Sequence, residues 1–239
     1  MISILKKELN SFFASPVAYL VISVYLLVNG LFLWVLKGEF NILNAGYADL
    51  TSYFYLAPWL FLFLIPSITM KSFTDEYANG TIEILKTKPL SDIQIITAKF
   101  LVSISIILFA ILPTLTYIYS IYKLGKPEGN LDIGSTFGSY CGIIFIASIY
   151  TSIGLFTSSV SNNEIVAFIL AFVICFFMLN GFDIISDTLG NDLWLIKNFG
   201  INQHYKSISK GVIDTRDLIY FASIIFFFLF LTKQQLKNE

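Results

Sequence analysis

Charge is scarce in this chain of 239 residues. Asp, Glu, Lys and Arg make up 13% of it, about half the roughly 25% of an average soluble domain. Apolar residues reach 56%, with 24 Phe, 13 Tyr and 3 Trp, so too little polar surface remains to coat a soluble fold and lipid must cover the excess. Histidine occurs once, at His204, and without a second His or nearby Cys it argues against a zinc or haem site. The net charge is -1 and the pI about 5.8, which leaves no basic stripe for a phosphate backbone and sets nucleic acid aside as a partner. The two cysteines, Cys141 and Cys175, fall inside apolar runs, so no disulfide framework is expected. A G-x-x-x-x-G-K-[ST] phosphate loop, H-E-x-x-H and G-x-S-x-G are all missing. The expectation is therefore a chain with no catalytic residues, no metal and no cofactor of its own.

What is present is length without charge. Six apolar windows, 17–36, 53–70, 100–119, 139–156, 165–180 and 212–232, each approach the roughly 20 residues that an α-helix needs to cross a bilayer. They are continuously apolar rather than alternating, and each must satisfy its own backbone in lipid, so helices and not barrel strands follow. Lys6 and Lys7 before the first window resemble a secretory signal, but the uncharged run is too long for one and reads as a retained span. Lys6, Lys7, Lys71, Lys86, Lys88, Lys99, Lys233 and Lys237 gather on one side and Lys37, Lys123 and Lys126 on the other. That bias of eight to three places both termini in the cytoplasm and the long loop 181–211 outside. The first five windows hold no Asp, Glu, His, Lys or Arg, and the sixth carries Asp214, Arg216 and Asp217 only at its external mouth. Ion-coupled carriers place such groups at membrane depth, so any energy for transport is expected from outside the membrane domain.

Several shorter segments have readable local structure. Residues 1–15 repeat Ile2, Leu5, Leu9, Phe12 and Phe13 at helical spacing, with Lys6, Lys7, Glu8 and Asn10 between them: an interfacial amphipathic helix, or a plain leader with snorkelling lysines. Pro16 suits the first turn of the span that follows. In the cytoplasmic segment 71–99, Ser91 and Gln94 form a capping box with Asp92 in the first turn, Thr74 can cap residues 75–78, Asn79-Gly80 is a stop, and Thr81 can start a second short helix before Pro89. Such a knob would expose Phe73, Tyr77, Ile82 and Leu85 beside charged neighbours, a surface suited to docking in another protein's groove; the same pattern also fits a solvated loop packed back on the helix ends. Ser161 and Glu164 form another capping box. Gly134, Gly138 and Gly142 line one helix face and permit close packing, inside the chain or between subunits. Pro58, Pro66 and Pro113 lie within spans, as hinges or as static bends. Asp214 can cap the last span, with Asp217 reaching back in a box-like arrangement.

Two stretches carry a family resemblance. The first is Phe73, Glu76, Gly80, Thr81, Glu83, Leu85, Thr87, Pro89, Leu90 and Ser91; the second is His204-Tyr205 followed by Gly211, Val212, Ile213, Asp214, Thr215, Arg216 and Asp217. Together they resemble the permease subunits of ABC-2 type transporters, above all the gliding-motility permeases (GldF) and next the copper-associated permeases of denitrifiers. The resemblance covers nearly the whole chain and is specific for no substrate. It implies an all-α integral membrane fold in the bacterial inner membrane: residues 1–15 as interfacial helix and 16–239 as a six-helix transmembrane domain. It further implies two permease subunits, as homodimer or heterodimer, and two separate ATP-binding subunits (GldA-like) that hold ATP and Mg. Coupling would run through the segment after the second span, with Phe73, Glu76, Tyr77, Gly80, Thr81, Glu83, Leu85, Pro89 and Ser91, and through the amphipathic helix. An auxiliary membrane protein with a large external part (GldG-like) completes the implied set.

Two rival functions stay open at this level. One is a membrane-embedded enzyme using His204, Asp214 and Asp217 at the external surface, which would need those groups to converge within hydrogen-bond reach. The other is a structural anchor for an envelope complex.

Overall fold

In the computed structural model, the structure describes residues 2–82, 91–189, 194–212 and 214–238. The regular structure among these residues is all helical, with no strand. The chain opens with α1 (Ile2–Ala14), and α2 begins at Pro16, where a missing N–H is harmless, and runs to Gly30 before a π-helical turn, Leu31–Val35. Next come α3 (Thr51–Thr69) and α4 (Lys71–Ala78). The third apolar run is α5 (Asp92–Ile111), a 3-10 turn at Leu112–Thr114 and α6 (Leu115–Leu124). α7 (Ile133–Val160) is followed by α8 (Glu164–Phe176), a second π-turn at Phe177–Gly181 and α9 (Phe182–Leu189). Two shorter helices, α10 (Trp194–Lys197) and α11 (Ile201–Ser209), precede α12 (Thr215–Asn238).

Six of these helical stretches are long and apolar enough to cross a membrane: Ala18–Val35, Thr51–Ala78, Asp92–Leu124, Ile133–Val160, Glu164–Thr188 and Thr215–Lys237. They match the six expected windows one for one; the middle four extend at both ends, the first is a residue shorter at each end, and the last begins three residues later and ends five later. Segment 181–211, expected as a long loop, instead contributes α9, α10 and α11 among the described residues.

α7 is the central post and packs against α3, α4, α5, α8, α11 and α12. Its small residues let neighbours approach closely. A Cβ on Gly138 would collide with the carbonyl of Ile208, one on Gly142 would stand 2.7 Å from the Tyr205 ring, and one on Gly154 would overlap Thr69 Oγ1. The glycine stripe therefore serves internal packing against α11: Gly134 lends its backbone as the bed for Gly211, which ends α11 at φ +83°.

Hydroxyls bond the backbone at two of the three proline breaks. Pro58 has no N–H to give the carbonyl of Phe54, and the Tyr205 hydroxyl donates to that carbonyl instead at 2.8 Å. At the Pro113 turn, Tyr140 donates to the Thr114 carbonyl at 3.1 Å, while Thr114 Oγ1 lies 3.0 Å from the Tyr53 hydroxyl and Tyr53 3.1 Å from that of Tyr25. Four helices are thus tied by side-chain oxygens at the one place where the third span leaves α-geometry.

Candidate functional site

The second apolar helix does not end at the edge of its span. Met70 keeps right-handed helical dihedrals, its N–H still bonded to the Pro66 carbonyl, and α4 continues from it. α4 then stops sharply. Gly80 takes φ +64°, Thr81 N–H donates to the Glu76 carbonyl at 2.9 Å and Gly80 N–H to Tyr77 at 3.1 Å, the paired bonds of a Schellman motif. Beyond the gap, Ser91 and Gln94 form the expected capping box at the start of α5.

α4 is held on every side. Lys99 of α5 is 3% exposed, and its ammonium donates to the Ser72 carbonyl at 2.6 Å, to Glu76 Oε1 at 3.0 Å and to Glu8 Oε1 of α1 at 3.5 Å, with the Phe73 ring 5.0 Å from the nitrogen. One buried cation therefore joins three elements and shares its charge between two carboxylates. The Phe73 N–H donates to the Ser158 hydroxyl of α7 at 2.7 Å, and Lys71 pairs with Glu164 of α8 at 3.3 Å. A second, smaller apolar core lies beneath, made of Phe73, Ile95, Ile96, Ala98, Leu155 and Leu236.

Several expectations are corrected here. Phe73 is fully buried, and Tyr77 and Ile82 pack against the same small core, because residues from α5, α7 and α12 meet there; the apolar face of the knob is turned inward. Thr74 caps nothing: its hydroxyl donates back to the Met70 carbonyl within a helix that has already begun. At the start of α8 the cap is Asn163, whose Oδ1 accepts from Ile165 and Val166, since Ser161 spends its hydroxyl on the backbone of Asn163. Of the candidate residues, Phe73, Glu76 and Tyr77 face the interior, while Gly80, Thr81 and Ser91 are exposed at the tip. Glu83, Leu85 and Pro89, and nearly all of the short helix expected from Thr81, lie outside the described residues.

Sequence reasoning missed Lys99, which it used only as a flanking charge. The signal was there: Lys99 falls on the helical stripe Ile95, Val102 and Ile106, all buried, where a solvated lysine has no place.

At the other end of the bundle, the second motif is brought together in part. His204 Nδ1 lies 2.7 Å from Asp217 Oδ1, its Nε2 lies 2.8 Å from the Asn198 carbonyl, and its ring stacks on Tyr220 at 3.8 Å. Asp217 thus does not reach back toward Asp214 as expected; the histidine takes it. Asp214 does cap α12, its Oδ1 accepting from the Arg216 N–H at 2.9 Å, and Arg216 is exposed. With both ring nitrogens engaged and one face covered, His204 fastens α11 to α12, and Asp214 does not join it as the enzyme reading requires.

Against this geometry, a family-model comparison is decisive: residues 2–213 match the ABC-2 family transporter protein. The chain belongs to the ABC-2 transporter family. No curated protein matches it. ABC-2 proteins of this kind are membrane components of transporters and generally non-catalytic, and the family implies an ABC ATP-binding partner. This ABC-2 chain is a multi-pass membrane protein in which a polar clasp centred on Lys99 secures the helix that continues past the second span.

Proposed function

We propose that this chain is the permease subunit of an ATP-driven ABC-2 complex of the gliding-motility type, working as a homodimer or beside a homologous permease. The α4 end faces the cytoplasm, where most short-flank lysines gather. A separate ATPase, which alone binds ATP and Mg, docks on the exposed tip after α4, and an auxiliary membrane protein with a large external part completes the assembly.

One observation carries this reading: α3 passes into α4 without leaving helical geometry, and α4 is clamped to α1, α5, α7 and α8. A push on the tip therefore reaches four elements at once and crosses no flexible linker. The rigid clasp also explains how a span set without Asp, Glu, His, Lys or Arg at depth can be driven from outside.

The test is co-purification. The full chain is expressed with a phosphate-loop ABC ATPase from the same genome, and Gly80→Pro and Glu83→Lys are compared with wild type. Each is expected to reduce retained ATPase about tenfold, the loss of roughly 1.4 kcal/mol at an interface. Wild-type retention in both variants, with motility or transport intact, would remove the proposal.

A further inference from the structure

A cavity of about 430 Å³ lies at the end of the bundle opposite α4. It is bounded by the first turns of α3, the start of α7, the π-turn after α8, and α11. We infer that this cavity receives an amphiphile carrying an ammonium group, the transported or regulatory molecule of the complex; the inference rests on the transporter reading above.

The volume falls within the range of about 300–1,000 Å³ typical of small-molecule pockets. Its charge has one dominant sign: Asp49, Asp132 and Asp183 line it against the single cation Lys206. Each carboxylate is positioned by a bond to one oxygen, Asp49 from the Thr51 N–H, Asp132 from the Ser135 N–H and Asp183 from the Asn202 amide, so the second oxygen of each is left for a donor. The hydroxyls add to the same bias. Ser135 and Ser139 both donate to the Ser209 carbonyl, at 2.7 and 3.3 Å, and so turn lone pairs toward the space. The Asn202 amide is spent on Asn180 and Asp183. The Lys206 ammonium and the Asn180 amide, buried without a partner, are the donors in this lining against three carboxylates and the serine hydroxyls, and that excess of acceptors and negative charge favours a ligand that donates and is cationic over one with an anionic head.

A bare metal ion is the wrong guest. Among the described residues no three His, Cys, Asp or Glu side chains converge to hold one. The carboxylates are spread around the cavity, while Tyr55 and Trp59, both exposed, supply aromatic faces on its α3 side. Rings of this kind attract an organic cation and lie well against hydrocarbon at a membrane interface. A molecule with an ammonium head and an apolar body meets both halves of the lining.

The source is either an aminophospholipid of the bilayer or a free amphiphilic amine, and one experiment separates them. The full chain with its ATPase is placed in phosphatidylglycerol nanodiscs containing a trace of photoactivatable phosphatidylethanolamine or photoactivatable phosphatidylglycerol, with and without dodecylamine. The aminolipid probe is expected to label residues 49–59 or 201–209, and dodecylamine to compete. Labelling of the same residues by a photoactivatable dodecylamine, without aminolipid labelling, assigns the site to free amines. Asp132→Asn with Asp183→Asn, which keeps both structural acceptors, should lower labelling or competition at least about fivefold, whereas Lys206→Gln should leave it unchanged or raise it. Equal labelling by the anionic probe, no loss in the double variant, or a similar loss in Lys206→Gln would overturn the inference. ATPase retention is read on the same samples: retained ATPase with failed amine binding rejects the cavity assignment alone, and ATPase absent from wild type rejects the transporter reading instead.

Discussion

Lys99 shows how much one buried charge can organise. Its partners come from positions 91 and 23 residues away in sequence, and the ion is shared between Glu8 at 24% exposure and Glu76 at 14%. Removing one member of a buried pair leaves the others uncompensated, which is costlier than never having had the pair. Lys99→Met, of similar length, should therefore destabilise the chain by ~3 kcal/mol. Adding Glu76→Gln should recover part of that loss, because the stranded carboxylate is then neutral. Thermal unfolding in detergent reads both, and a double variant no better than the single would argue that packing, not charge, sets the cost.

Among elements, the joint between α3 and α11 is the most informative. Pro58 strands the carbonyl of Phe54, and Tyr205 supplies the missing donor from 151 residues away. Burial, and secondarily neighbouring Tyr53, pushes the Tyr205 phenol above its ordinary range, so the group stays protonated and keeps donating. Tyr205→Phe should cost about 1–2 kcal/mol by leaving a buried acceptor unpaired. In a Pro58→Ala background the same change should cost less, since residue 58 then has its own N–H for Phe54, and a double-mutant cycle of unfolding free energies measures the difference. Equal costs in the two backgrounds would mean the hydroxyl is not the repair it is described as here.

Features of this element-level kind divide what can be read from sequence from what cannot. The six spans, Pro16, the Ser91 capping box and the Asn79-Gly80 stop were legible because each is set by residues within a turn or two of one another. The cap at Asn163 was misread between two acceptors two residues apart, a choice made by fine geometry. The inward turn of Phe73, the Lys99 clasp, the His204–Asp217 pair and the Tyr205 bond depend on which helix faces become neighbours, and periodicity within one segment does not contain that. Gly154 is a further example: nothing local distinguishes it from Gly142, and only the approach of Thr69 shows why it must lack a side chain.

For the whole molecule, the continuity of α3 and α4 predicts how energy and transport separate. Inserting two glycines after Met70 breaks that continuity while leaving the tip after α4 unchanged. ATPase should still co-purify and hydrolyse ATP in the complex, but transport per ATP should fall at least about tenfold, or roughly 1.4 kcal/mol of lost coupling. Unimpaired transport would show that the two helices need not move together.

The close approach of Thr69 to Gly154 gives that continuity a direction. Where Gly154 admits Thr69, the long helix has a fulcrum. At about 1.5 Å per residue, the arm from Thr69 to Ala78 is roughly 14 Å and the arm back to Thr51 roughly 27 Å. In the proposed complex, a rigid tilt applied at the short arm would emerge at the far arm reversed in sense and about doubled, and the far arm is the wall that carries Tyr55 and Trp59.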